Sequence, residues 1–449
     1  MRITLTVTEG PHQGQVFVFD GHDTFLVGRS KRAHFRLPAK DRYFSRIHFL
    51  IETNPPSCRL MDMSSSNGTY VNDRRVERAD LHDGDTIRAG QTVLLVSVSR
   101  DAAAEAPAGR PEPQGTLPTP SVGRSAPASP ATASGGEGGT AVLTACAACG
   151  AALPAPLGEL LLCPVCEGLS RSMPQPLAGY RLVRELGRGA MGLVSLAVRR
   201  ADGRAVAVKT VLPVAGGDDA QVQRFLREAN VLRELTHPHI VAFRDMGESG
   251  GMLYFAMDYV RGQDAHKMLR KNGPLPVGRA AALGCQLLDA LAFAHGRGFI
   301  HRDVKPSNLL LTEEGGRERL MVADFGLAKV YQASKLSGLT MTGDVGGTLP
   351  FMAPEQITEY RMARPPVDQY SAAASLYNLL TGAYVYDLPP SFQDQLLAIL
   401  QEAPVPIRKR RPDLPEGLAA VIHRGLQREP AERFADAAAM RDALRPFAA

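Results

Sequence analysis

Residues 101–140 set the first constraint on this chain. About two-thirds of them are Ala, Pro, Gly or Ser and none is aromatic. Such a stretch buries too little apolar surface to offset the entropy of ordering it, so it reads as a flexible linker. The 449 residues are therefore divided, and no single core spans them. Residues 1–100 carry alternating apolar positions at Ile3/Leu5/Val7, Val16/Val18, Phe25/Val27, Ile47/Phe49/Ile51 and Val93/Leu95/Val98, punctuated by Gly10, Gly14, Gly21, Asn67-Gly68 and Asp83-Gly84. Period-two runs between turn residues predict an all-β sandwich. Beyond the linker comes a Cys-bearing segment, 141–170. From Tyr180 a strand-rich stretch (180–257) is followed by a helix-rich one (261–449), the pattern of an α+β unit with two lobes.

Composition excludes several classes. A hydrophobic content of 44% excludes a wholly disordered chain, and six Cys are too few for a disulfide scaffold. The net charge of +5 is too weak to imply nucleic acid. The cluster Arg29, Lys31, Arg32, Arg36, Lys40 and Arg42 reads as a solvated basic face, or one that attracts phosphopeptides, ahead of a nucleic-acid surface. The most apolar helical candidate, residues 279–295, is interrupted by Gly284, Gln286 and Asp289, so no membrane span is expected. The segment Met1–Val7 alternates like a strand and lacks the apolar block of a signal peptide; a cytoplasmic location is the expectation.

The chemistry lies in the C-terminal unit. Leu186-Gly187-Arg188-Gly189-Ala190-Met191-Gly192-Leu193-Val194 is GxGxxGxV. Glycines there let backbone N–H groups approach phosphate oxygens. A dinucleotide-binding loop shares GxGxxG but opens a helix; here Val194-Ser-Leu-Ala-Val198 continues as a strand. A further strand ends on Lys209, placed to pair with α/β-phosphates. Residues 223–235 have helical spacing and carry Glu228, the expected partner of Lys209. His301-Arg302-Asp303-Val304-Lys305-Pro306-Ser307-Asn308, then Asp324-Phe325-Gly326, then Ala353-Pro354-Glu355 complete the series. Phosphoryl transfer needs oxygen ligands for Mg²⁺, a carboxylate to orient the incoming hydroxyl, and cations on the phosphates.

In these motifs and their order, residues 180–447 resemble a eukaryotic-type protein kinase domain, and among such domains the bacterial serine/threonine members. The resemblance implies that Gly187, Gly189 and Gly192 cover the phosphates of ATP, with Leu186, Val194 and Ala207 over the adenine and Leu310 beneath it. It makes Met257 the gatekeeper and the backbone of Asp258 to Val260 the hinge. Lys209, oriented by Glu228, would contact the α/β-phosphates. Asp303 would be the catalytic base, Lys305 would touch the γ-phosphate, and Asn308 and Asp324 would hold Mg²⁺ (or Mn²⁺). His301 is expected to be structural. Thr348 would brace Asp303 and Lys305, Glu355 would pair with Arg433, and Asp368 would open the central helix. That helix reads Ser371-Ala-Ala-Ala where relatives often have Gly, and Asp264 replaces a commoner Leu. Thr340 and Thr342 are the expected autophosphorylation sites, with Arg302 as a cation for the phosphate; plain loop hydroxyls are the other reading.

In the N-terminal unit Gly28-Arg29-Ser30, Ser45-Arg46-Ile47-His48 and Ser65-Ser66-Asn67-Gly68-Thr69 fall on turns between strands. Their order and spacing resemble a forkhead-associated (FHA) domain, best over residues 62–72. The resemblance implies that Arg29 and Ser45 bind a phosphothreonine, Asn67 holds the peptide backbone, and Arg46 and Ser66 line the site. Gly28 and His48 match structural positions. Ser65 and Ser66 as ordinary turn residues remain the alternative.

Cys146-x₂-Cys149 and Cys163-x₂-Cys166 form C-x₂-C-x₁₃-C-x₂-C, the thiolate set of a tetrahedral Zn²⁺ site in a small ribbon. A redox dithiol pair and two disulfides are the competing readings; neither pair is expected to open a helix in a βαβ context, which disfavours the redox one. So small a unit would draw most of its folding free energy from the metal. Cys58 and Cys285 read as core thiols. The expectation is a multidomain chain: an FHA-like β-sandwich, a zinc ribbon and a bilobal kinase acting on protein Ser/Thr hydroxyls. The linker's coil span of roughly 30–40 Å would let the reader reach phosphothreonine on its own kinase unit, on a neighbouring copy or on substrates. A phospho-dependent scaffold with an inactive kinase unit is the runner-up.

Overall fold

The computed structural model describes residues 1–20, 23–31, 33–37, 41–54, 57–99, 144–153, 162–189, 192–211, 230–249, 252–325, 348–358 and 363–448. The linker 101–140, Glu228, Gly326, Thr340 and Thr342 lie outside the described residues.

Eleven strands build the N-terminal sandwich among the described residues. One sheet has the order β2-β1-β11-β10-β7-β8 and the other β4-β3-β5-β6-β9. The strands are β1 (Arg2–Glu9), β2 (Val16–Asp20), β3 (Asp23–Gly28), β4 (Phe35–Arg36), β5 (Phe49–Asn54), β6 (Ser57–Asp62), β7 (Thr69–Val71), β8 (Arg74–Val76), β9 (Arg78–Asp80), β10 (Thr86–Ala89) and β11 (Thr92–Ser99). Ile3, Leu5 and Val7 point inward as their alternation requires. Two strands have the opposite phase from the sequence reading. In β2 the inward residues are Phe17 and Phe19, while Val16 and Val18 are 54% and 47% exposed. In β11 the core takes Leu94 and Val96. Both runs are apolar at consecutive positions, so alternation alone does not fix which set faces in.

The second sheet is apolar on both faces. Val27, Phe49, Ile51 and Leu60 fill the sandwich core, whereas Leu26, Leu50, Met63 and the loop residue Ile47 belong to the apolar cluster of the C-terminal unit. This separates Ile47 from Phe49 and Ile51. Strand β3 packs there against a short helix described below. A sandwich sheet open to water alternates apolar and polar positions; a sheet covered on both sides does not. The runs Phe25-Leu26-Val27 and Phe49-Leu50-Ile51 thus record a second covering partner.

The Cys segment is a hairpin of β12 (Thr144–Ala145) and β13 (Ala152–Leu153), followed by α1 (Pro164–Arg171). The N-lobe is one antiparallel sheet, β14-β15-β16-β18-β17, of β14 (Tyr180–Gly189), β15 (Gly192–Arg199), β16 (Ala205–Val211), β17 (Phe243–Ser249) and β18 (Met252–Asp258). The C-lobe adds β19 (Gln263–Asp264), α2 (Ala265–Asn272), α3 (Val277–His295), β20 (Leu309–Glu314), β21 (Arg317–Val322), α4 (Pro354–Thr358), α5 (Pro366–Thr381), α6 (Phe392–Gln401), α7 (Ile407–Arg410), α8 (Glu416–Gly425) and α9 (Ala437–Leu444). Helix α4 is the one beneath β3. Of the predicted helix over 223–235, the described part, Asn230–Glu234, is a 3-10 turn. Helix α3 is long and apolar enough to cross a membrane by length and composition, but it packs against α5, α9 and β21 in the C-lobe. Asp264 caps α2, accepting from the Lys267 N–H at 2.8 Å, which explains an acidic residue there.

Leu50 supplies a direct test of the second covering. It is 1% exposed on the face of β5 opposite Phe49 and Ile51, and burying such a side chain contributes about 1.5–3 kcal/mol. Leu50→Asp should release the sandwich from the C-lobe while its own core stays folded. Small-angle scattering of the full chain should show a larger radius of gyration than wild type; an unchanged radius would count against the docked arrangement.

Candidate active site and phosphate-reading loops

The N-lobe sheet sorts its residues by face. In β16 Val206 and Val208 enter an apolar cluster with Tyr180 and Leu182, which sends Ala207 and Lys209 to the other face. Lys209 is buried, and its Nζ donates to Asp324 Oδ2 at 2.9 Å. Burial alone would push the Asp324 carboxyl up; the Lys209 ammonium outweighs it and holds the carboxyl below its usual range. The expected partner Glu228 is outside the described residues, so the acid seen on Lys209 is the metal-ligand candidate itself.

The catalytic loop is held from beneath. His301 is fully buried, with Nε2 2.9 Å from the Ala323 carbonyl, and its Nδ1 accepts from the Asp303 N–H at 3.2 Å. Those partners assign the ring proton to Nε2, and the role is structural, as expected. Asp368 accepts from the backbone N–H groups of His301 and Arg302, each at 2.8 Å, and from His295 Nε2 at 2.8 Å. Burial would raise the Asp368 carboxyl, but these donors hold it below the usual range. Arg302 in this loop has φ +67°, and Asp324 after β21 has φ +60°, a region that costs of order 1 kcal/mol or more for a residue with a Cβ.

Around Asp303 the expected residues converge. Lys305 Nζ lies 2.9 Å from Asp303 Oδ1 and donates to Thr348 Oγ1 at 2.6 Å, and Thr348 Oγ1 donates to Asp303 Oδ1 at 3.1 Å. Asn308 Nδ2 donates to the Asp303 carbonyl at 2.8 Å and to its Oδ2 at 3.0 Å. Glu355 and Arg433 form the expected pair through two contacts, 2.5 and 2.8 Å. Leu310 lies on the face of β20 opposite the buried Leu309 and Leu311.

In the sandwich, Gly28 is fixed by close approach: a Cβ there would lie 2.2 Å from the Arg46 carbonyl oxygen. That contact places Arg29 beside Ser45, whose carbonyl accepts from the Arg29 N–H at 3.1 Å. His48 Nδ1 accepts from the Ser45 N–H at 2.9 Å, and Ser45 Oγ accepts from the Ser66 N–H at 3.2 Å. Asn67 Nδ2 donates to the Tyr43 carbonyl at 2.8 Å. Burial keeps His48 below the usual imidazole range, which preserves Nδ1 as an acceptor. Arg29 Nε is buried with no hydrogen-bond partner. Ser65 proves to be a turn residue, bonded through N–H and hydroxyl to Asp62. Arg29, Ser45, Ser66 and Asn67 therefore sit on adjoining loops, and Arg46 is exposed beside them.

The four thiols of the Cys segment also meet, all sulfurs lying within 4.8 Å of one another. All six Cys are free thiols, so the two-disulfide reading does not hold. Cys146 Sγ accepts from the Cys163 N–H at 3.3 Å; burial would push this thiol up, but backbone N–H donors bring it to about 6. Cys163 is the N-cap of α1, so the second pair opens a helix, with no βαβ unit around it among the described residues. Sequence reasoning also missed the hinge's surroundings. Arg244 pairs with Asp258, and Arg184 Nη2 donates to Tyr259 Oη at 3.3 Å. It missed Asp41, which accepts from the Tyr43 and Gln91 N–H groups and from Thr92 Oγ1. Apart from the local Asp41–Tyr43 bond, these contacts join separate segments, with no local motif to announce them.

The protein kinase domain family matches residues 180–444, and the FHA domain family matches residues 25–90. The serine/threonine-protein kinase PkaA of Streptomyces coelicolor is 40% identical over 266 residues, 57% of this chain and 47% of that protein. The serine/threonine-protein kinase PknD of Mycobacterium tuberculosis is 37% identical over 277 residues, 60% of this chain and 40% of that protein. The chain thus spans half or less of the length of these curated relatives. A crystal structure of Rad53 1–466 in complex with AMP-PNP covers 100% of both chains with a TM-score of 0.50 at 20% identity, a likeness of fold. Matched over more than half its length by the family whose signature side chains it gathers at Asp303, this chain belongs to the protein kinase domain family and carries an FHA domain.

Proposed function

We propose that the chain transfers the γ-phosphoryl group of ATP to Ser or Thr hydroxyls of proteins, and that its FHA domain reads phosphothreonine on itself or on substrates. The observation that carries the first part is the closed set Asp303–Lys305–Asn308–Thr348 facing Lys209 and Asp324. Asp303 is held rigidly by three donors, so its carboxylate is positioned to orient an incoming hydroxyl and take its proton. Lys305, 2.9 Å away, meets the charge that develops on the γ-phosphoryl oxygens. Asn308 spends its amide nitrogen on Asp303, so its carbonyl oxygen is the group that would hold a divalent cation, together with the Asp324 carboxylate kept ionised by Lys209. This all-oxygen donor set fits Mg²⁺ or Mn²⁺, which when bound supplies charge neutralisation at the phosphates. The Asp258 N–H is spent on the Ala242 carbonyl at 2.9 Å, leaving the hinge's remaining backbone groups to the adenine edge.

For the reader, the buried Arg29 Nε has no hydrogen-bond partner and the Ser45 hydroxyl beside it accepts from the Ser66 N–H, which leaves each with a proton to donate, the complement of a phosphate dianion. For the ribbon, four sulfurs within 4.8 Å match a Zn²⁺ tetrahedron, whose S–S edges are about 3.8 Å at Zn–S of about 2.3 Å; Cys149 and Cys163 Sγ are 3.7 Å apart. Zn²⁺ held there would be structural. Thr340 and Thr342 complete the proposal as autophosphorylation sites, the products the FHA domain would read in the same or a neighbouring copy.

Three outcomes are expected. Asp303→Asn should lower autophosphorylation with labelled ATP by about 10²-fold or more while ADP affinity stays at the wild-type value; equal labelling would remove Asp303 as base and favour an inactive scaffold. Arg29→Ala should weaken a phosphothreonine peptide by about tenfold or more, the scale of a charge-assisted hydrogen bond, in calorimetry against the full chain. Elemental analysis should find one zinc per chain, and Cys163→Ser/Cys166→Ser should lose it.

A further inference from the structure

The Cys knuckles share a core with the catalytic unit. Strand pairing sets Val194 opposite Lys209, Leu196 opposite Ala207 and Val198 opposite Ala205, so these six residues line one face of the N-lobe sheet. The Lys209 end of that face is the nucleotide side. At the other end Leu196 and Val198 are buried in one cluster with Cys146, Ala148, Leu153 and Cys166, and Leu186 and Tyr259 pack on its rim. Leu186 is an expected adenine contact and Tyr259 is the middle hinge residue. The knuckles and the adenine site are thus neighbours on one surface. Helix α1 ties this arrangement to β14: Ser170 Oγ donates to the Leu182 carbonyl at 2.7 Å and accepts from Arg181 Nε at 3.0 Å.

The chain leaves the hinge through Arg261, which is gripped from both sides. Its Nη2 donates to the Ala147 carbonyl at 3.3 Å, inside the first Cys knuckle. Gly150 closes that knuckle at φ +79°, and a Cβ there would lie 1.8 Å from Arg261 Nη1. Glycine leaves room for the guanidinium where it lies and adopts this backbone without strain. On the C-lobe side the Arg261 carbonyl accepts from Thr312 Oγ1 at 2.8 Å. A Cβ on Gly262 would lie 1.9 Å from the Leu311 carbonyl oxygen, so the chain runs hard against β20, the strand that carries Leu310. An element packed on the N-lobe therefore holds the first residue of the C-lobe, and the atoms it spans flank the adenine site above and below.

We propose that the first Cys knuckle is a strap across the hinge, and that Arg261 is a positioning residue through which it fixes the nucleotide pocket for the phosphoryl transfer inferred above. Arg261 touches none of Asp303, Lys305 or Asp324. The strap acts by holding the hinge backbone where the adenine edge meets it, and its loss weakens nucleotide binding and leaves the chemical step alone. The rigidity of the knuckle rests on the zinc reading; the Arg261 contact is between protein groups and is tested separately.

The test uses the full chain as wild type, Arg261→Ala, Arg261→Lys and Cys146→Ser/Cys149→Ser. The measurements are zinc per chain, ADP affinity with Mg²⁺ by calorimetry, KM for ATP and kcat on autophosphorylation, and amide hydrogen exchange over 258–262. Arg261→Ala should keep its zinc, raise the ADP Kd and the ATP KM about fivefold, the scale of one lost hydrogen bond, hold kcat within twofold and exchange faster at 258–262. Arg261→Lys, which still reaches the Ala147 carbonyl with a cation, should recover most of the affinity. The double Cys variant should lose zinc and show the same KM shift, with no further shift on adding Arg261→Ala. Wild-type affinity and hinge exchange in Arg261→Ala overturn the strap, whatever the metal content. A wild-type chain without zinc overturns the metal reading alone, and the Arg261→Ala comparison still decides the strap. If the Cys variant does not fold, Arg261→Ala and Arg261→Lys decide it.

Discussion

One buried carboxylate organises the catalytic side of this protein. Asp368 sits in the first turn of α5, wholly excluded from water, and takes the N–H groups of His301 and Arg302 together with the His295 imidazole. An ionised buried carboxylate is costly unless its lone pairs are filled, and here three donors fill them. The return is geometric. Two consecutive amides aimed at one carboxylate leave the backbone little freedom, and Arg302 is carried into the left-handed region. That turn delivers Asp303 to the cleft, where Lys305, Asn308 and Thr348 fix it again from the other side. The same segment is stapled to α4 by Gln356, whose amide donates to the Arg302 carbonyl at 2.6 Å, and α4 is anchored through Glu355 to the fully buried Arg433 side chain. Removing either member of so buried a pair would leave an uncompensated charge.

The two candidate phosphate sites draw on the same residue types on unrelated scaffolds: each combines a long cation with a hydroxyl and an amide. In the sandwich the close contact of Gly28 with the Arg46 carbonyl sets Arg29 beside Ser45, and a neutral His48 holds the Ser45 amide. In the kinase domain Lys209 is held by Asp324, and Thr348 and Asn308 hold Asp303. The parallel explains why the residue types alone pointed to phosphate in both halves, although nothing in the two folds is shared.

Legibility in the sequence followed the range of the interaction. The kinase motifs were readable because each encodes a local backbone event: a glycine hairpin, a tight loop, a helix end. Five strands of the sandwich (β1, β2, β3, β5 and β11) were readable from alternation, but their order was not, nor was the phase of β2 and β11, since Val16-Phe17-Val18-Phe19 and Val93-Leu94-Leu95-Val96 are apolar on both faces. The four clustered Cys announced themselves by spacing, while Pro164 after Cys163 was a helix-start signal that went unused. Arg261 carried no signal at all. Its contact with Ala147 joins residues 114 apart in sequence, and a single chain gives no local trace of such a contact.

The double-faced sheet shows how a misread pattern can itself hold information. Leu26 and Leu50 break the alternation that a free-standing sandwich would keep. Taken alone they look like extra core; in the structure they are interface, buried against the C-lobe cluster that contains Ile357 and Phe351. The loops that carry Arg29 and Ser45 start at the ends of these same segments: Arg29 follows Leu26 by three residues, and Ser45 precedes Ile47 by two. These loops and the docking face are therefore two ends of one short, hydrogen-bonded unit, in which the His48 N–H is tied to the Val27 carbonyl at 2.8 Å. A rigid sheet with a ligand site at its edge and a kinase helix on its face cannot shift at one without moving the other. With the Cys knuckles packed on the N-lobe and the sandwich on the C-lobe, each lobe has an accessory unit built into its surface, and composition that first read as separate beads on a linker describes a catalytic body braced on two sides.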